Sequence, residues 1–225
     1  MRTVMFRPTV FEFRNYRLRP GGRQRFETLF EREFVESQEA LGSLAAGTFR
    51  VLGDPDRFVW IRCFETMESR ARALDGFYTS ALWRRHRDAA NAEIRDSDNV
   101  LQLNCVAGGM SVDVRRRAPV GVKAEPRAWF LATTYFVAPG DLPRFAKLYE
   151  RAEPWQGELV ASFVTDPRPN SYPRLPVRND SVFLALSRHT APPAAEALLT
   201  PQLEMLMQAP PHLLRLRPTP RSLIQ

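Results

Sequence analysis

Tyr16-Arg17-Leu18-Arg19-Pro20-Gly21 returns as Tyr135-Phe136-Val137-Ala138-Pro139-Gly140, and the correspondence continues at a constant offset of 119 residues. Arg25, Phe26, Leu29, Glu31 and Arg32 meet Arg144, Phe145, Leu148, Glu150 and Arg151. Eight identities fall between Tyr16 and Arg32, where average composition would give about one by chance. The simplest reading is two copies of one folding unit. Such repetition fixes architecture better than chemistry, because function resides in sites grafted onto folds.

Working outward, each copy reads strand, helix, strand, strand, helix, strand. Thr9 to Leu18 alternates with a period of two, placing Phe11 and Phe13 on one face and Glu12, Arg14 and Tyr16 on the other. Pro20-Gly21-Gly22 leads into a helix whose apolar stripe is Phe26, Leu29, Phe30, Phe34 and Leu41, and Gly42 and Gly47 bracket its exit. Strands over 48–52 and 57–64 are joined by the turn Gly53-Asp54-Pro55-Asp56. A helical region over 68–94 is expected to break near Asp75-Gly76, and a strand over 99–106 closes the copy. The second copy gives strands over 128–137, 159–165, 181–188 and 212–217, with helices over 142–152 and 194–208. Four prolines over 166–180 predict a long ordered loop in place of the tight turn.

This order predicts an α+β fold of two tandem ferredoxin-like (βαββαβ) units, each an antiparallel sheet with helices on one side. Their bare faces would meet in a dimeric α/β-barrel arrangement. The expected domains are 1–110 and 127–225, with 111–126 as linker. Whether the barrel closes within one chain or between chains stays open at this level, and exposed edge strands suggest a homodimer or higher homo-oligomer.

Composition narrows the function classes. A net charge of +7 would ordinarily suggest nucleic acid, but 30 of the 32 basic residues are arginine, with Lys123 and Lys147 the exceptions, and they are spread along the chain. No nucleic-acid partner is expected, and Arg115-Arg116-Arg117 reads as solvated linker. No apolar run reaches the roughly 18 residues of a membrane span, and no signal-peptide pattern opens the chain, so the expectation is a cytoplasmic protein without a membrane partner. Cys63 and Cys105 read as reduced core thiols. His86, His189 and His212 are too scattered for a metal, and no dinucleotide, nucleotide or hydrolase motif is present, so no metal or cofactor is expected.

The pattern Glu12-x-Arg14-x-Tyr16-x-x-x-Pro20-Gly21, then Gly53-Asp54-Pro55-Asp56-Arg57-Phe58-Val59-Trp60, Arg62, Arg70, Phe77-Tyr78, Trp83 and Asp98-Asn99-Val100, resembles the NIPSNAP family of the dimeric α/β-barrel group. The resemblance covers residues 8–106, and more loosely 127–219, where Leu131 and Thr133 stand at the places of Glu12 and Arg14. It implies a bacterial-type protein with an internal cavity. Neighbouring barrel families include cofactor-independent monooxygenases, haem-handling enzymes, and isomerases or cyclases of small aromatic or polyketide substrates.

If the aliphatic strand faces, with Val59, Ile61 and Cys63, meet the helices, the opposite faces line the barrel. Glu12, Arg14, Tyr16 and Arg62 are then the candidate catalytic residues: two guanidinium forks for a carboxylate or enolate, a phenolic donor, and a carboxylate as base or arginine orienter. Trp60, Tyr78, Trp83 and Tyr135 are candidate ligand-binding walls, and His86 a further candidate acid or base. The same charges could equally be an ion-pair network with no ligand, and His86 a solvent-facing side chain. The function expected is binding of a small anionic, carbonyl or aromatic molecule in the barrel cavity, as in a cofactor-independent enzyme of secondary or aromatic metabolism. The alternatives are an interaction scaffold, with the 166–180 loop as its docking surface, and a haem-handling protein.

Overall fold

The computed structural model describes residues 7–108, 113–154, 157–194, 196, 197 and 199–225. Its first half runs β1 (Val10–Leu18), α1 (Arg23–Leu29), a π-helical turn (Phe30–Phe34), α2 (Val35–Glu39), β2 (Leu44–Val51), β3 (Asp54–Phe64), α3 (Met67–Tyr78), α4 (Ala81–Glu93), the short β4 (Ile94–Asp96) and β5 (Val100–Gly108). The second runs β6 (Trp129–Val137), α5 (Leu142–Ala152), β7 (Glu158–Thr165), β8 (Val182–His189), α6 (Pro201–Glu204) and β9 (Met207–Pro218). β1 and β6 stand 119 residues apart at both ends, the offset of the sequence repeat.

The strands lie in the order β2-β3-β1-β5 in one half and β9-β6-β8-β7 in the other, all antiparallel. Two seams join the halves. β2 pairs with β9, setting Phe49 opposite Pro218 and Val51 opposite Leu216, and β5 pairs with β7, setting Leu103 opposite Thr165 and Gly108 opposite Ala161. Eight strands thus close into a ring within the chain, with β4 added outside it on the end of β1. Closure leaves no open edge among the eight, which removes the edge-strand argument for self-association.

The ring encloses an apolar core to which all eight strands contribute, among them Phe11, Phe13, Phe49, Val59, Ile61, Leu103, Phe130, Phe163, Leu184 and Leu216. This reverses the face assignment made from sequence. Val59, Ile61 and Cys63 point into the barrel, and Glu12, Arg14, Tyr16, Trp60 and Arg62 lie under the helices. The physical reason is the width of an eight-stranded barrel, which side chains just fill. A stack of apolar residues packs the middle of that interior, so the faces carrying Glu12, Arg14 and Arg62 turn to the helix side. Glu12, Arg14, Tyr16 and Arg62 accordingly do not line the barrel as expected, and these polar groups gather elsewhere.

Several boundaries also differ. The break in the 68–94 helical region falls at Thr79-Ser80, because Ser80 caps α4 by accepting a hydrogen bond from the Trp83 backbone N–H (3.0 Å), while Asp75-Gly76 stays inside α3. The helix expected over 194–208 shrinks to Pro201–Glu204, and residues from Met207 join β9, which must be long enough to pair with both β6 and β2; Ala195 and Leu198 lie outside the described residues. In the linker, Gly109 to Val112 lie outside them too. Arg117 is not solvated there: its guanidinium is buried against Glu39 and the backbone oxygens of Ala45 and Arg221. Residues 219–224 then plug one end of the barrel, with Ile224 in the core and Arg221 paired to Glu36.

The proline-rich loop folds back on the first half. Arg70 donates to Asn170 Oδ1 (2.9 Å) and Ser171 Oγ (3.1 Å), Ser171 Oγ donates to the Met67 carbonyl (3.0 Å), and buried Tyr172 stacks on Tyr78. This part of the loop is occupied by its own chain rather than presented as the docking surface that the scaffold alternative needs.

Candidate functional site

β1 and β3 pair so that Glu12 stands opposite Arg62, Arg14 opposite Trp60, and Tyr16 opposite Phe58. Period-two alternation puts all six on the face covered by α1 to α4, and α3 lowers Arg70 onto the same spot. The Glu12 carboxylate, fully buried, is the hub. Oε2 accepts from Arg14 Nη1 (2.7 Å) and Arg62 Nε (2.8 Å), and Oε1 accepts from Arg70 Nε (2.7 Å). Arg62 Nη1 donates to Gln38 Oε1 (3.1 Å), and Arg14 Nε donates to the Tyr16 hydroxyl (3.0 Å). The guanidinium of Arg62 lies 5.0 Å from the Trp60 ring and that of Arg14 5.5 Å from it, within cation–π range.

Charge does not balance here. Three arginines, each residue at most 1% exposed, meet one carboxylate, an excess of two positive charges. Burial alone would raise the Glu12 pKa, but Arg62, Arg14 and Arg70 together hold it well below the usual carboxylate range. Burial, with the like charges of Arg62 and Arg14 and against the pull of Glu12, pushes Arg70 below its ordinary value. Burial also holds Tyr78 above the ordinary tyrosine value, against Arg62 and Arg14, so it stands beside them as a neutral phenol and supplies no counter-charge.

Beside this cluster lies a cavity of about 120 Å³ between the sheet and the helices. Arg14, Tyr16, Trp60 and Gln38 face it from the sheet side and α2, Phe30, Phe34, Tyr78 and Trp83 from the aromatic helix side, while Leu175 of the long loop closes one flank. The indole N–H of Trp60 is buried without an acceptor among the described residues. Arg14, Tyr16 and Trp60 thus line the cavity from the rigid sheet, bringing a guanidinium, a phenol and an indole to one wall, a set suited to a flat anion. Among the described residues, no three His, Cys, Asp or Glu side chains gather as a metal site.

Of the sequence candidates, Glu12, Arg14, Tyr16, Trp60, Arg62, Tyr78 and Trp83 come together here. Glu12 and Arg62 lie behind the wall, holding Arg14 rather than facing the cavity. Two candidates do not join them. His86 lies on the inner face of α4 against the Phe34 ring and turns to Glu33 (3.6 Å), but it is not among the residues that line the cavity. Tyr135 packs under α5 with Phe145, Tyr149 and Phe183 in the other half. Sequence reasoning passed over Arg70 as a site residue, although a signal exists: Arg70, Ala73, Leu74 and Phe77 share one helical face, and all four are buried. An arginine within an apolar stripe marks a buried charge. Gln38 and Leu175 carry no such signal.

Residues 11–103 match the NIPSNAP family model. This NIPSNAP domain runs from β1 into β5 and contains Glu12 and all three of its arginines. A NIPSNAP-like domain protein from Burkholderia xenovorans is 27% identical over 42% of this chain and 80% of its own, with a TM-score of 0.36. Similarity of fold extends further than the NIPSNAP domain. A protein from Fusobacterium nucleatum carrying a provisional monooxygenase name aligns over 95% of this chain and 94% of its own, with a TM-score of 0.58 at 9% identity. An anthrone oxidase-like protein aligns over 94% and 92%, with a TM-score of 0.57 at 10% identity. No curated protein matches the chain.

Proposed function

We propose that the NIPSNAP domain binds a small, flat organic anion, a single-ring aromatic carboxylate or phenolate, in the cavity between its sheet and its helices. The observation that carries the reading is the excess of two buried guanidinium charges beside a cavity that Arg14 faces. An unbalanced buried charge is costly, and an anion seated against Arg14 would offset it. Arg14 and Tyr16 take the anionic oxygens, the Trp60 N–H adds a third donor, and Phe30, Phe34 and Trp83 supply the ring wall. Glu12, Arg62 and Arg70 are positioning residues that hold Arg14 in place. Size bounds the class: an apolar cavity of roughly 150 Å³ accepts benzene, so one of about 120 Å³ admits no more than a single ring. The three fused rings of an anthrone, the compound in one neighbour's name, exceed it. Donors fixed around an anionic oxygen would also stabilise an enolate or phenolate forming in place, the capacity a cofactor-independent enzyme of aromatic metabolism needs.

The architecture is read as two tandem ferredoxin-like units, 1–110 and 127–225 joined by 111–126, in an intramolecular version of the dimeric α/β-barrel. Support comes from the strand order, which is fourth-first-third-second in each half, and from the 119-residue repeat.

The test is isothermal titration with benzoate and salicylate against benzamide, a neutral analogue of the same size. The carboxylates should bind at least about tenfold more tightly than the amide, the loss expected for one charge-assisted hydrogen bond. Arg14→Met should abolish the preference, and Tyr78→Phe should keep it. Equal binding of acid and amide, or no binding of either at millimolar concentration, would refute the reading.

A further inference from the structure

One end of the barrel is plugged by residues 219–224; the opposite end is open. There the alternation that fills the interior with apolar side chains carries on but changes character. Asn15 and Arg17 continue the inward series of Phe11 and Phe13 on β1, and Arg57 precedes Val59 on β3. The result is a recess of about 480 Å³, floored by Phe13, Leu101 and Leu214 and rimmed by Arg17, Arg57 and Arg178.

Two rim arginines are paired. Arg57 Nε donates to Asp54 Oδ2 (2.8 Å) and its Nη1 to Asn15 Oδ1 (3.3 Å), while Arg178 Nε donates to Asp180 Oδ2 (2.5 Å). The Arg17 guanidinium has no hydrogen-bond or ion-pair partner among the described residues. Asp96 stands opposite Arg17 across the β1–β4 ladder without forming an ion pair, so among the described residues Arg17 is the unpaired guanidinium of the rim, at the lip of an apolar floor. The volume falls within the range of small-molecule sites, about 300–1,000 Å³, and is several times that of the cavity under the helices. The two sites share no lining residue.

We infer that the open barrel mouth is a second binding site, for a small amphiphilic organic anion whose apolar body rests on Phe13, Leu101 and Leu214 and whose head group meets Arg17. The site is built from both halves, since Phe136 and Leu214 of the second half complete a wall begun by β1 and β5. Neither half alone would form it.

Octanoate is the probe, titrated calorimetrically into the full chain, with 1-octanol as its neutral analogue. Octanoate should bind at least about tenfold more tightly than the alcohol, and the double variant Arg17→Ala/Arg178→Ala should remove that difference. Both arginines are exposed, so the variant keeps the fold, which an unchanged circular-dichroism melt checks. Filling the recess by Thr134→Trp should weaken octanoate by a similar factor. Equal affinity for acid and alcohol, or no octanoate binding at millimolar concentration, overturns the inference. So does an octanoate affinity that falls in Arg14→Met yet is unchanged in Arg17→Ala/Arg178→Ala, because the probe would then sit under the helices.

Discussion

Replacing Glu12 by glutamine keeps the shape of the hub and removes the one negative charge beneath three buried guanidiniums. In the native protein the carboxylate accepts hydrogen bonds from Arg14, Arg62 and Arg70; in Glu12→Gln the buried excess rises from two positive charges to three. Breaking a buried ion pair from one side costs about 3–5 kcal/mol. For a chain of this length each kcal/mol shifts the melting temperature by roughly 2–4 °C, so a fall of about 6–20 °C is expected. Differential scanning calorimetry at pH 7 measures it. The acid limb gives an independent check. Glu12 has a folded pKa below its unfolded value of about 4.3, so its contribution is complete above that pH and is lost as pH falls toward the depressed folded value. The gap between native protein and Glu12→Gln should therefore narrow below about pH 4. A variant that melts within 2 °C of the native protein, or a gap constant from pH 7 to pH 3, would show that the carboxylate does not hold the cluster together.

Three further outcomes follow from the packing. Tyr172→Ala removes the buried ring by which the long loop stacks on Tyr78; it should cost about 3 kcal/mol in urea denaturation and open residues 166–180 to limited proteolysis, and an unchanged cleavage pattern would refute the fastening. Gly108 sits at φ +73° on the β5–β7 seam, where an added Cβ would lie 2.4 Å from the Val160 carbonyl oxygen, so Gly108→Ala should destabilise by more than about 1 kcal/mol. The same change at Gly140, with open space around its Cβ position, should be nearly neutral in the same assay. Burial pushes the Cys63 thiol up, and Cys105 less completely buried, so a disulfide exchange reagent should modify Cys105 slowly in the native protein and Cys63 only after unfolding; fast modification of both would contradict the buried position of Cys63.

The candidate site was legible in composition more than in place. Alternation along Thr9 to Leu18 put Glu12, Arg14 and Tyr16 on one face correctly, because a period of two is a property of the extended backbone itself. What lay across from that face was not readable. Whether helices or the opposing sheet cover a strand face depends on which face fills a closed barrel, and that is settled jointly by residues of both halves, such as Phe11 on β1 and Phe163 on β7, whose rings meet at 5.1 Å. Arg70 reaches Glu12 across 58 positions, and Asn170 and Ser171 reach Arg70 across 100 and 101. The helix expected over 194–208 was lost for a related reason. Its apolar residues fit a helical stripe locally, but ring closure drew Met207 and the residues after it into the strand that bridges both halves.

The sequence by itself determined the 119-residue correspondence, the alternation of strands and helices, and which side chains share a face, since those follow from local periodicity and from the constant offset. Only the tertiary structure decided that the ring closes within one chain, that its interior is apolar, and that the charged face lies under the helices beside a cavity. Closure and burial are properties of contacts between residues far apart in the chain, and no local pattern carries them.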